Sequence, residues 1–256
     1  MSRASSRFGV LVGGLRCVAV ALLASVAVAL LACGSDGRGT VSDGPARAAI
    51  VDQLSISHPN QGFVDDATDQ LVRAGYLVDY YPGEQVTVDL YRQLAEHDYA
   101  YVVLRVHTAR FEGEWRGVTY DQPVLFTAEP YNPDQYVDEQ WELLLNPVFA
   151  YEGAPRYFGV APNFIEDIGA YEGATVVLMG CSGMSTDALA AAFDGQGAER
   201  VVGWNDLVSA QHTDDATSHL LGYLLDGSTA QEAVAKTNAE VGTDPIYDSH
   251  LLAYTP

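Results

Sequence analysis

The chain has 256 residues, of which 34 are acidic and 13 basic, for a formal net charge of −21. A surface of that sign repels nucleic acid and anionic headgroups, so no nucleic-acid partner is expected. The length supports one sizeable domain with a full core, and neither an internal repeat nor a motif calling for a cofactor is present.

The chain opens on a basic segment with Arg3, Arg7 and Arg16, followed by a nearly unbroken apolar run from Cys17 to Ala32. That run is short for a bilayer span and suited to the core of a signal peptide. Its end, Leu30-Leu31-Ala32-Cys33-Gly34, resembles the lipobox of bacterial lipoproteins. The resemblance implies a signal peptide over 1–32, cleavage before Cys33, diacylation of that cysteine, and a lipid-anchored protein on the extracytoplasmic face of the cell membrane. A soluble secreted protein cut nearby, or an uncleaved anchor, are the alternatives. Cleavage removes three of the 13 basic residues and none of the 34 acidic ones, moving the net charge from −21 to −24. Residues 33–47, rich in Gly, Ser and Asp, read as a flexible tether. The domain proper is expected over 48–256. With Cys17 lost and Cys33 lipidated, Cys181 has no intramolecular partner, and an unpaired thiol outside the cell is either buried and inert or kept for its chemistry.

Strands and helices alternate through the domain. A first strand is predicted over 48–56. A helix follows over 63–75, with Phe63, Ala67, Leu71 and Val72 on one face and Gly75 at its stop. A second strand (76–81), a helix (86–97) and a third strand (99–107) ending on His107 complete a pattern that favours a parallel sheet. Residues 111–131 read as a hairpin turning near Gly117, 133–145 as a helix, and 155–167 as an irregular return. The regular pattern resumes with a strand (174–180), a helix (187–197), a strand (199–204) and helices over 212–227 and 228–242. Ser228 and Gln231 fit a capping box. The tail from Ser249 reads as an edge strand or docked extension.

In open α/β sheets the functional crevice lies outside the carboxyl ends of the strands. His107 and Gly180-Cys181 each follow an apolar strand directly, and His58, Pro59 and Asn60 after the first strand reach the same edge. A histidine ending one strand and a cysteine ending a later one resembles the caspase-like cysteine peptidases, the group that includes caspases, gingipains, separase and CHAT domains. Residues 189–238 are similar to the matching part of a CHAT domain, with its Val-Val-Gly strand, Trp-bearing loop and Ala-Val helix. The resemblance implies an α/β three-layer sandwich with a mostly parallel central sheet flanked by helices and a hairpin insertion between the third and fourth core strands. It implies Cys181 as nucleophile, His107 as general base, and backbone amides around Thr108, Gly180 and Cys181 as an oxyanion hole. It also implies Trp204, Asn205 and Asp206 as a wall of the substrate pocket, where Asp206 would favour a basic side chain or act only as a turn former. Thr108 stands where the family has Gly, and Met179-Gly180 stand where it has a polar residue followed by Ala or Ser.

Chemistry makes the same demand, because an ordinary thiol is mostly protonated at neutrality and needs a base within reach. Other constellations are weaker. His212, Asp214, Asp215 and His219 lack the i, i+4 spacing of helical metal sites, Asp214 and Asp215 serve the helix dipole, and no metal is expected. Ser182 and Ser185 lack nucleophile-elbow spacing. Trp115 and Trp141 read as core or hairpin packing. Two functions follow: a membrane-tethered cysteine hydrolase acting on a peptide or protein through a thioester, or a non-catalytic lipoprotein module of the same scaffold that binds a peptide or envelope protein.

Overall fold

In the computed structural model, residues 45–256 are described. The expected leader over 1–32, Cys33 and the tether to residue 44 lie outside the described residues. β1 (Arg47–Asp52), β2 (Leu77–Pro82), β3 (Tyr99–Arg105), β8 (Thr175–Leu178) and β9 (Arg200–Trp204) run parallel, and β10 (Leu251–Ala253) closes one edge antiparallel in the order β10-β9-β8-β3-β1-β2. The inner strands β1, β3, β8 and β9 are buried on both faces and are largely apolar on both, with Asp52 and Arg105 as charged exceptions at the ends of β1 and β3. Ala49, Val51, Val102, Leu104, Val176 and Leu178 face one layer, packed on α2 (Val88–Glu96), α4 (Pro162–Ile168) and α5 (Ala188–Gly195). Ala48, Ile50, Tyr101, Val103, Val177 and Met179 face the other, packed on α1 (Gln61–Arg73), α6 (Ala210–Leu225) and α7 (Ala230–Val241).

Between β3 and β8 the chain leaves this sheet and builds a second, antiparallel one from β4 (Thr108–Trp115), β5 (Val118–Pro130), β6 (Leu145–Val148) and β7 (Tyr157–Val160), ordered β4-β5-β7-β6. The expected hairpin is β4–β5, turning at Arg116-Gly117, both with positive φ. β3 passes into β4 across only Val106 and His107, so His107 sits at the junction of the two sheets.

Several boundaries differ from expectation for physical reasons. The first strand stops at Asp52, because its carboxylate caps a 3₁₀ turn over Gln53–Ile56 by accepting from the Ser55 amide. Val72 is 53% exposed, whereas Phe63, Ala67 and Leu71 are buried, so the α1 stripe is narrower than read. The helix expected over 133–145 shrinks to α3 (Val137–Trp141), because Leu145 onward is taken into the ladder with β7. α7 carries its capping box on Thr229 and Glu232, one residue later than expected, since the Ser228 amide is used to close α6 on the Tyr223 carbonyl. Trp141 is 57% exposed, with the Arg116 guanidinium 5.3 Å above its ring at the hairpin turn. No helix among the described residues is long and apolar enough to cross a membrane.

Candidate functional site

The β3–β8 ladder pairs Leu104 with Leu178, and the Met179 amide continues it by donating to the Leu104 carbonyl. The chains stay close for one more step, since a Cβ on Gly180 would lie 2.5 Å from the Val106 carbonyl, and His107 and Cys181 are the next residue on each. Both residues line one cavity of about 640 Å³, walled by the turn after β1, the β3–β4 junction, the loop after β8 and residues 207–211 after β9. Phe126 of β5, with Phe149 and Ala150 just after β6, lines it as well, so the excursion between β3 and β8 helps to wall the crevice.

Each side chain is set by local bonds. The His107 amide donates to Gln53 Oε1 at 3.1 Å, its carbonyl accepts from the Phe126 amide at 2.9 Å, and its Nε2 lies 3.2 Å from Ser57 Oγ. Gly180 has no room for a side chain, because a Cβ there would overlap the Thr108 hydroxyl and lie 2.5 Å from the Val106 carbonyl. This explains the glycine before the cysteine. Thr108 Oγ1 is buried against it with no hydrogen-bond partner. After Cys181 the chain turns sharply, with Ser182 at φ 55°, a conformation uncommon for a non-glycine residue and one that collects at functional sites. The Ser182 amide donates to the Asp206 carbonyl at 2.8 Å, and Cys181 Sγ both donates to the Val208 carbonyl and accepts from its amide at 3.5 Å. The thiol is therefore clasped by the loop after β9.

Burial, with smaller contributions from His58 and Arg105, lowers the His107 pKa to about 4, so the ring is neutral at pH 7 and a weaker base than an exposed imidazole. Burial also pushes the Cys181 thiol up; its bonds to backbone pull the other way, and Asp244 and Asp206 add to the rise. At rest the pair is an uncharged thiol and an uncharged imidazole.

Next to His107 lies a charged cluster that the sequence pattern did not reveal. Arg105 is fully buried in the last position of β3, and its guanidinium meets Asp52 Oδ1 at 2.6 Å, Asp214 Oδ1 at 2.7 Å and the His58 carbonyl at 2.8 Å. Tyr80 donates to Asp52 and Asn60 donates to Asp214, and burial followed by the Asp52 charge pushes the Tyr80 phenol up to about 12. Asp214, assigned from sequence to the helix dipole, is instead a buried counter-ion. The available signal was an arginine inside the apolar run 99–106, a position that buried charge occupies only when paired.

The pocket wall also differs from expectation. Trp204 is fully buried, donating its indole N–H to Thr213 Oγ1 at 2.9 Å, and is core. Asn205 is tied to the His250 backbone through both its amide and its side chain. Asp206 is exposed and its carboxylate accepts from the Leu207 amide at 2.7 Å, the turn-former reading. The wall is supplied by Leu207 to Gln211 instead, while Thr108 and Gly180 do border the cavity. Of the four residues weighed for a metal, Asp214 holds Arg105, Asp215 accepts from Gln211, His219 pairs with the exposed Glu240, and the His212 ring lies against Trp204. No protein-family model matches the chain, and no curated protein is similar enough to be matched.

Proposed function

We propose that this protein is a caspase-like cysteine hydrolase, a peptidase acting through a His107–Cys181 dyad, tethered to the membrane by lipid on Cys33. The observation that carries the reading is that the two residues follow the ends of the adjacent parallel strands β3 and β8 within three positions and line one cavity. In the reaction, a peptide carbonyl bound in the cavity displaces the thiol from its clasp on Val208. His107 takes the thiol proton, sulfur attacks the carbonyl carbon, and the protonated histidine returns the proton to the leaving amine. A thioester remains, which water hydrolyses with His107 again as base. Backbone amides at Gly180 and Cys181, with those around Thr108, are the donors that would stabilise the oxyanion. Phe149, Leu207 and Tyr247, each close to half exposed at the cavity, suit an apolar side chain beside the scissile bond better than a basic one.

The test is labelling by a peptidyl acyloxymethyl ketone bearing leucine next to the ketone, read by mass spectrometry on the peptide that contains Cys181. The expected result is modification of Cys181 that slows at least about 100-fold in His107→Ala, the usual scale of general-base catalysis. Equal labelling in His107→Ala, or none where iodoacetamide does modify Cys181, overturns the dyad. Palmitate incorporation lost in Cys33→Ala is the expected result for the anchor, and its absence from the wild type removes it.

One observation favours a second reading, a non-catalytic module that binds a peptide in the same cavity: the resting thiol is protonated and spent on the Val208 backbone. That reading expects a fluorescent leucine-containing peptide to bind Cys181→Ala as tightly as the wild type, with no ketone labelling of either His107 form.

A further inference from the structure

Next to the cavity, three side chains form a continuous polar chain. His107 Nε2 lies 3.2 Å from Ser57 Oγ, which lies 2.9 Å from His58 Nδ1, and the two rings meet edge-on at 5.8 Å between centroids. His107 is half-buried, whereas Ser57 and His58 are exposed. The segment is rigidly placed: the Ser57 and His58 amides both donate to the Leu54 carbonyl, and Arg105 holds the His58 carbonyl from below.

Ser57 has one hydroxyl proton and two imidazole neighbours, so it can donate to only one of them. Donation to His107 would make Nε2 the acceptor and put the ring proton on Nδ1, leaving no free base. Donation to His58 leaves the proton on His107 Nε2, where Ser57 accepts it, and frees Nδ1. Among the described residues His107 Nδ1 has no hydrogen-bond partner and is not sealed from solvent, and His107 lines the cavity. The Nε2–H form is also the intrinsically preferred neutral tautomer of histidine. The partner on the far side of Nε2 decides which nitrogen acts.

We infer that Ser57 and His58 form a polarised relay, running His107 Nε2–H to Ser57 and Ser57 O–H to His58, that holds His107 Nδ1 as the free base. This rests on the dyad reading for its purpose, with Ser57 and His58 as positioning residues. When Nδ1 takes the Cys181 proton, the S–H bond breaks and the electron pair stays on sulfur. The Nε2 proton then passes to Ser57 Oγ and the Ser57 proton to His58 Nδ1, so the positive charge ends on an exposed ring. The charge would otherwise rest on a ring that burial keeps near pKa 4. The groups facing His107 are Ser57 and His58 from the turn after β1, Gln53 on its amide, Arg105 on its own strand, the Phe126 ring at 5.5 Å from β5, and Cys181 across the cavity.

The test is long-range ¹⁵N–¹H correlation of the full chain labelled with ¹⁵N-histidine at pH 8, with His107 and His58 assigned by His107→Gln and His58→Gln. In the wild type, His107 Nε2 should carry the proton and Nδ1 should show the lone-pair shift. Ser57→Ala and His58→Ala should each give a mixed His107 signature, and Ser57→Thr, which keeps the hydroxyl, should restore the wild-type one. A role in packing alone would leave the tautomer unmoved in His58→Ala. Ketone labelling of Cys181 should slow about ten-fold or more in Ser57→Ala and recover in Ser57→Thr. A proton on His107 Nδ1 in the wild type, or one signature shared by all variants, overturns the relay even where labelling is intact. Loss of wild-type labelling with the tautomer pattern as expected overturns the dyad and leaves the relay standing.

Discussion

Gly180→Ala tests the geometry on which the site depends. Gly180 is not among the residues with positive φ, so alanine costs no backbone strain there and gains about 0.4–1 kcal/mol by restricting the unfolded chain. Against this stands a new methyl 2.5 Å from the Val106 carbonyl and overlapping the Thr108 hydroxyl. A carbon–oxygen contact needs about 3.3 Å, so the ends of β3 and β8 must part by roughly 0.8 Å. Backbone cannot rotate away as a side chain can, and overpacking of this kind costs about 1–3 kcal/mol. The expected net loss is about 1–2 kcal/mol in urea unfolding, or roughly 3–6 °C in Tm for a domain of this size. Thr108→Ala removes both one overlapping atom and an unpartnered buried hydroxyl, so it should be neutral or stabilising alone and should recover about half of the loss in the double variant. Gly195→Ala, where nothing lies within 4 Å of the new methyl and the residue ends α5, is the control and should be neutral or stabilising. A Gly180→Ala protein as stable as the control, or one not rescued by Thr108→Ala, would refute the close approach of the two strand ends.

Arg105→Met should cost about 3–5 kcal/mol in urea unfolding at pH 7, because it strands two buried carboxylates, and Asp52→Asn/Arg105→Met/Asp214→Asn should recover most of it. His107 titrates near 4 when folded and near 6.5 when unfolded, so the unfolded chain binds the extra proton; stability should fall as pH drops from 6.5 to 4, by at most about 3 kcal/mol because the ring is part-exposed. His107→Gln should lack that portion of the acid curve. Asp244 accepts from the Ser209 amide and hydroxyl and from the Ile246 and Tyr247 amides, and despite burial these donors hold its carboxyl down at about 2. Asp244→Asn should lose about 2–3 kcal/mol and loosen the cavity wall at Ser209, as read by amide exchange. In the wild type this contribution is present above pH 3.8 and should fade as pH falls toward 2.

The placement of His107 and Cys181 was legible from sequence, because each ends an apolar run whose length and β-branched content specify a buried strand, and strands alternating with helices pair in parallel. Local chemistry also carried the β4–β5 hairpin, whose turn centres on Gly117 at positive φ. What local pattern could not carry is anything settled by partners distant in the chain. Arg105 meets Asp214 across 109 positions and Asp52 across 53, and only the packed sheet brings those charges together. The same holds for the clasp between Cys181 and Val208, for Trp204 turned into the core on Thr213, and for Leu145 drawn out of a helix into a ladder. Sequence by itself determined which apolar runs form the central strands and which residues follow them, since burial of both sheet faces leaves few alternatives, though β1, β3 and β8 stop two to four residues earlier than read. The tertiary structure alone decided what those residues touch, because hydrogen bonds and ion pairs act over about 3 Å and their partners come from separate elements.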